Sequence, residues 1–232
     1  MTFGHPHRHY ARIDSTNTRA RELAATGAPH GTVVTAAEQT EGRGRQGRTW
    51  TAPAGRALLY SAVLRPLDER HVLLPLAVPL AVCEAAEELE AGIQCGVKWP
   101  NDVQVGGRKL AGVLIEARPQ DGWAVIGVGL NLAIAAGEFP SELRETAVSL
   151  DGAPAGAAIE ALNRRLAEWL DADQEAVLAG WRRRDALRGR QVSWDGGSGI
   201  ADGVDDHGYL LVIAPGGERI SVGAGEVHLT RS

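Results

Sequence analysis

Between residues 96 and 133 the apolar runs follow one another too closely for a helix to fit between them. Val97 with Trp99, Val103 with Val105, the stretch KLAGVLIEA and the stretch WAVIGVGLNLA each read as strand. They are divided only by Pro100-Asn101-Asp102, Gly106-Gly107 and Asp121-Gly122, all turn signals. Consecutive strands joined by tight turns predict a mixed, largely antiparallel sheet. Further strand candidates are Tyr10–Ile13, Gly31–Ala36 and Ala57–Leu64.

Helical signals surround this block. Asp14 to Asn17 offers N-cap residues before Ala20, Leu23 and Ala24, and Gly27 sits where a C′ glycine belongs. Pro75 opens a helix running to about Leu89, with Pro79 expected to move its start later. Ile159, Leu162, Leu166 and Leu170 recur at helical spacing within two helices over 156–187. The expected class is therefore α+β, with helices on one face of the sheet. After Leu187 short alternating runs predict a small β-barrel or meander over 188–232, leaning on the main domain over 10–187. Residues 1–9 read as a solvated, flexible tail. His5, His7 and His9 alternate there with no carboxylate or cysteine to complete a metal site.

Composition narrows the function. With 44% hydrophobic and 23% charged residues, the 232-residue chain is neither disordered nor fibrous. A net charge of −5 argues against general nucleic-acid binding. No apolar run approaches the roughly 18 residues of a membrane span, and MTFGHPHRHYARID has no secretory h-region. Cys83 and Cys95 stand in no metal or redox spacing, so a cytoplasmic protein is expected.

Three segments carry chemistry. In Gly42-Arg43-Gly44-Arg45-Gln46-Gly47-Arg48, glycines permit close backbone approach and arginines suit a carboxylate or phosphate. A solvated loop or an RGG-like nucleic-acid contact fits the same composition. Lys98-Trp99-Pro100-Asn101-Asp102, with Lys109 and Gly112 after it, gathers charge around tight turns; a solvent-facing hairpin is the alternative. Gly127 and Gly129 alternate along a strand, which marks close approach of a ligand or of another backbone. Asn131 needs a partner if buried.

In the order STN, EQTEGRGRQGRTW, VKWPNDVQVGGRKLAGVLIE and VIGVGLNL, residues 10–135 closely resemble the catalytic domain of biotin–protein ligases. The resemblance implies a class II synthetase-like catalytic domain and a Src-homology-like C-terminal barrel. It implies ATP-dependent formation of biotinyl-5′-adenylate, with magnesium on the ATP, and transfer of biotin to one lysine of a biotin carboxyl carrier domain. Ser15, Thr16, Asn17, Gln39, Gly42, Arg43, Gly44, Arg45, Lys109 and Gly112 match the biotin side. Arg48, Trp50, Lys98, Asn101 and Asn131 match the ATP side, with Trp50 as the adenine-stacking ring. Lys109 and Arg45 are expected to neutralise charge at the α-phosphorus, and Asp102 to orient or deprotonate the carrier lysine. No protein-bound metal, membrane or nucleic-acid partner is expected, and a monomer or weak homodimer suffices. Many bacterial relatives carry an N-terminal helix-turn-helix domain; nothing before Tyr10 matches one, so a repressor role is not expected.

No enzyme nucleophile is required, and Cys83 lies in an Ala/Leu/Val helix. The double variant Cys83→Ser/Cys95→Ser should keep most of its biotin-dependent pyrophosphate release, with some loss of stability. A folded double variant without activity would show that a thiol takes part.

Overall fold

The computed structural model describes residues 1–223, 225 and 227–229. Its main sheet contains β1 (His7–Tyr10), β2 (Val33–Ala36), β3 (Ala57–Leu64), β4 (Cys95–Lys98), β5 (Asp102–Val105), β6 (Arg108–Arg118) and β7 (Trp123–Asn131). They run in the order β1-β2-β3-β7-β6-β5-β4. Of the neighbouring strands in this sheet β1 and β2 pair in parallel, and each of the other neighbouring pairs is antiparallel. Gly106 and Gly107, both at positive φ, close the β5–β6 hairpin.

The two-residue period of β7 decides what each face receives. Ala124, Ile126, Val128 and Leu130 point into the principal core. There they meet α2 (Leu74–Leu89) and α3 (Ala155–Asp171), whose Leu76, Leu80, Leu162 and Leu166 belong to the same core; α4 (Gln174–Arg184) adds Val177 and Trp181. Helices are not confined to one face as expected: on the other face Trp123 and Val125, large side chains that need cover, pack under Ala20 and Ala24 of α1 (Thr16–Ala25). The next two residues on that face are Gly127 and Gly129. Asn17, at the start of α1, covers Gly127; the atoms nearest Gly129 beyond it belong to Trp50 and not to a helix, and the site forms there.

Pro75 lies in the first turn of α2, where a missing N–H removes no helical bond. Pro79 does not delay the start: the helix begins at Leu74. Pro79 forfeits the one bond to the Pro75 carbonyl and is buried in the core, so its packing offsets that loss.

The expected solvated tail is instead ordered. β2 would otherwise be a sheet edge, and β1 covers it, with Val33 N donating to Pro6 O at 2.8 Å. His7 Nε2 and His9 Nδ1 lie 2.8 and 3.0 Å from the buried Thr35 hydroxyl. Phe3, 7% exposed, packs edge-on against His30. The strand expected at Tyr10–Ile13 thus ends at Tyr10, and Ile13 makes only a single bridge to Gln39. No group of three or more potential metal ligands exists among the described residues.

The C-terminal segment forms an antiparallel sheet of β8 (Gln191–Trp194), β9 (Gly197–Val204), β10 (Leu210–Ile213), β11 (Arg219–Val222) and β12 (His228–Leu229), in the order β11-β10-β9-β8-β12. Glu226, which opens EVHL, the last of the short alternating runs after Leu187, lies outside the described residues. Val192, Ala201, Leu210 and Val212 join the principal core, and Trp99 Nε1 donates to Gly208 O at 3.0 Å. The second sheet therefore leans on the first.

If β1 is anchored in this way, Phe3→Ala should cost roughly 3 kcal/mol, the low end for a buried phenylalanine. Urea unfolding measures it; an unchanged midpoint would restore the flexible tail.

Candidate active site

A single cross-strand row lays out the site. Lys98 of β4 pairs with Asp102 of β5, Asp102 with Gly112 of β6, Gly112 with Gly129 of β7, and Gly129 with Leu59 of β3. Charge stands at one end and bare backbone in the middle. Trp50, from the loop between β2 and β3, lies on that bare backbone: a Cβ on Gly129 would overlap its ring, and one on Gly112 would come within 3.1 Å. One row further along, a Cβ on Gly127 would overlap the Asn17 amide. The glycines are there because two side chains lie flat on the sheet.

Lys109 reaches this face through a β-bulge. Val103 pairs with Ala111 but Gln104 with Lys109, so Leu110 is skipped. In a regular strand Lys109 and Gly112 would face opposite ways. The bulge turns Leu110 into the core, 1% exposed, and brings Lys109 to the same side as Gly112. Lys109 Nζ then lies 2.6 Å from Asp102 Oδ1 and 5.7 Å from the Trp50 ring centre.

The polar end is built on α1. Thr16 donates its backbone N–H and its hydroxyl to Gln39 Oε1, at 2.7 and 2.9 Å, leaving Gln39 Nε2 as the donor that can meet a ligand. Ser61 Oγ is 2.8 Å from Thr16 Oγ1 and 2.6 Å from Asn17 Oδ1. Thr16's proton is given to Gln39, so Ser61 faces two acceptors, Thr16 Oγ1 and Asn17 Oδ1, with its single proton. Asn17 Nδ2 donates to Glu116 Oε2 at 3.0 Å. Asn17 is thereby committed on both sides and acts as part of the frame. Ser15 occupies the N-cap position of α1 but makes no side-chain capping bond, and its residue faces the cleft.

The Gly/Arg segment, long enough to read as irregular, folds as a small hairpin. Trp50 N donates to Gly42 O at 3.0 Å, Arg43 bridges Thr49, and Gly44 N donates to Arg48 O at 2.7 Å. Gln46 at φ 54° and Gly47 at φ 75° turn its tip. Arg45 leans over to Asn101 Oδ1 at 3.3 Å, while Asn101 Nδ2 donates to Val113 O at 2.9 Å. Asn131, 5% exposed, finds its partner in Val148 O at 2.8 Å.

These elements enclose a cleft of about 730 Å³. Of the residues matched in sequence to the biotin and ATP sides, all but Gly42 line it. Gly42 instead packs beneath the hairpin, where a Cβ would overlap Trp50 O and come within 2.8 Å of Gln39 Nε2. Burial pulls the Lys98 ammonium below its ordinary value, with Asp102 opposing and Lys109 and Arg48 adding to the shift. Arg45 is lowered for the same first reason, again against Asp102. The cleft is thus a partly desolvated cation cluster around one carboxylate, suited to anions. Sequence reasoning passed over Ser61, although a lone hydroxyl in ALLYSAVL was its signal, and Glu116, the lone acid ending GVLIE. It also passed over Arg190 and His228 of the C-terminal segment, which line the same cleft.

The sequence model of the biotin/lipoate A/B protein ligase family matches residues 10–132, and that of the biotin protein ligase C-terminal domain matches residues 189–229. The biotin–[acetyl-CoA-carboxylase] ligase of Mycobacterium tuberculosis is 37% identical, over 94% of this chain and 87% of that protein. The bifunctional ligase/repressor BirA of Bacillus subtilis is 39% identical over 61% of this chain. That match spans 45% of the Bacillus protein, less than half its length. The Aquifex aeolicus biotin protein ligase in complex with biotin and ATP superposes with a TM-score of 0.82 at 28% identity, covering 97% of this chain and 99% of that one.

The glycine floor is testable without any ligand. Gly129→Ala should destabilise by roughly 1–3 kcal/mol, because its methyl must displace the Trp50 ring. Gly137→Ala, where a Cβ meets nothing within 4 Å, should be close to neutral. Equal urea midpoints for the two variants would contradict the packing described.

Proposed function

The chain belongs to the biotin/lipoate A/B protein ligase family, and from that premise we propose that it activates biotin with ATP and passes it to a protein lysine. The acceptor in this reading is the biotin carboxyl carrier domain of a biotin-dependent carboxylase. One observation carries the reading: a single cleft joins a hydroxyl and amide end (Ser15, Thr16, Gln39) to a cationic end (Arg45, Lys98, Lys109) across a glycine floor beneath an indole. The first end suits the ureido ring and the second the carboxylate and phosphates. Trp50 and Asn131, which line the same cleft, are assigned to the nucleotide base in this reading.

In the first step a biotin carboxylate oxygen attacks the α-phosphorus, a new P–O bond forms, and pyrophosphate leaves. Two anions must meet, so the residues' task is positioning and charge neutralisation. Lys109 is pre-aimed by Asp102 and Arg45 by Asn101. ATP enters as its magnesium complex, the ion carried by the phosphates; Asp102 and Glu145 are the carboxylates lining the cleft. In the second step the carrier lysine attacks the acyl carbon and AMP leaves, with Asp102 placed to orient that amine or take its proton. Neither Cys83 nor Cys95 lines the cleft. Arg190, His228 and the bond from Arg45 to Gly225 O support a role for the C-terminal segment at the nucleotide or carrier side. No helix of the described residues is long and apolar enough to cross a membrane. A cytoplasmic monomer or weak homodimer, with no nucleic-acid partner, completes the reading.

Biotin-dependent exchange of labelled pyrophosphate into ATP tests the activity. Lys109→Ala should lower adenylate formation by roughly 10²–10³, typical for loss of one preorganised charge. Biotin affinity should fall less, and transfer from supplied biotinyl-adenylate less still, as single-turnover measurements can separate. Equal falls in affinity and in adenylation efficiency, with the maximal rate unchanged, would reduce Lys109 to a binding residue.

A further inference from the structure

Glu116, on the cleft-side face of β6, has no part in the chemistry just described. Yet three side chains from two other segments converge on its carboxylate. Arg43 Nη1 lies 3.0 and 3.2 Å from its two oxygens, Arg21 Nη1 3.1 Å from Oε1, and Asn17 Nδ2 3.0 Å from Oε2. Arg43 belongs to the Gly/Arg hairpin, Asn17 and Arg21 to α1. The Glu116 side chain is 19% exposed, and Asn17 is 4% exposed.

We propose that Glu116 is a positioning residue that holds the Gly/Arg hairpin against α1 at the biotin end of the cleft. The proposal rests on the biotin-activating reading above and deepens it. An isolated surface ion pair contributes little, about 0–1 kcal/mol. Here, however, one carboxylate fixes two separate parts of the same binding wall. By holding Asn17 Nδ2 it leaves Asn17 Oδ1 turned to Ser61, which sits 2.8 Å from Thr16 Oγ1. By holding Arg43 it fixes the stem of the hairpin whose tip carries Arg45. Arg43, matched in sequence to the biotin side, is thereby tied to Glu116, which it shares with Arg21, and its work in this proposal is to anchor the hairpin.

The test compares wild type, Glu116→Gln, Glu116→Ala, Arg43→Ala and the double variant Glu116→Ala/Arg43→Ala. Two readouts are taken: biotin-dependent pyrophosphate exchange, and hydrogen exchange across residues 39–50. Glu116→Ala should raise the KM for biotin about tenfold, as expected for losing charge-assisted hydrogen bonds, with kcat within about twofold of wild type. Glu116→Gln should fall between, because its carbonyl still accepts from Asn17 while Arg43 loses its counter-charge. The double variant should show less than the product of the single effects, because the two side chains act as one anchor. Faster hydrogen exchange should be confined to 39–50 and the start of α1. Multiplicative KM effects, or a fall in kcat at unchanged KM, would overturn the proposal. Should Glu116→Ala fail to fold, Glu116→Gln decides by the same criteria. Should wild type show no biotin-dependent exchange, the ligase reading fails while hydrogen exchange in Glu116→Gln still judges the anchor: faster at 39–50 supports it, unchanged overturns it.

Discussion

The structure depends on two adjacent strands carrying no side chain where they cross the middle of the sheet. Gly112 and Gly129 face one another in register, and an indole lies on them. Any Cβ on Gly129 would lift Trp50 off the sheet and narrow the cleft from below. The same row delivers Lys98 and Asp102 from the neighbouring strands at no cost in loop length. A flat backbone floor with charges at its margin suits a reaction whose demand is to hold two anions in line. Rigid strands hold such charges more firmly than loops can.

Electrostatics follows from that layout. Lys98, Lys109 and Arg45 gather around Asp102, so repulsion among the cations is relieved by one carboxylate until substrate arrives. Burial works against the charge on Lys98, which makes that side chain more responsive to an incoming anion than a surface lysine would be. The bulge at Leu110 is what lets Lys109 join this group, since regular alternation would have turned its ammonium to the opposite face. One skipped residue decides whether the cleft holds this cation.

Much of this was legible in the sequence because its signals are local. Pro100-Asn101-Asp102 and Gly106-Gly107 announce tight connections, and alternation in WAVIGVGLN reports both the buried face and the gap in the other. The motif strings hold most of the residues that line the cleft, while those between Phe139 and Ala147 and those of the C-terminal segment lie outside them. What stayed hidden is tertiary. HRHY reads as polar chain and becomes a strand only because β2 has an edge to cover. RKLAGVLIE reads as unbroken alternation, and the bulge within it is visible only against its partner strand. Glu116 acquires meaning from Asn17 and Arg43, which lie 99 and 73 residues away in sequence. Gly42 falls within the string whose resemblance implies the biotin side, yet its nearest neighbours are Trp50 and Gln39 of its own chain, a contact that no local signal announces.

The central claim is that this one cleft sets a biotin carboxylate directly against the α-phosphorus of ATP. Biotin labelled with oxygen-18 in both carboxylate oxygens tests it most directly. With ATP and an acceptor carrier domain, attack at the α-phosphorus followed by transfer to lysine leaves one labelled oxygen in the AMP released. Mass spectrometry of AMP and pyrophosphate should find the label in AMP alone. Label in pyrophosphate, or biotinylated carrier accompanied by unlabelled AMP, would contradict the account.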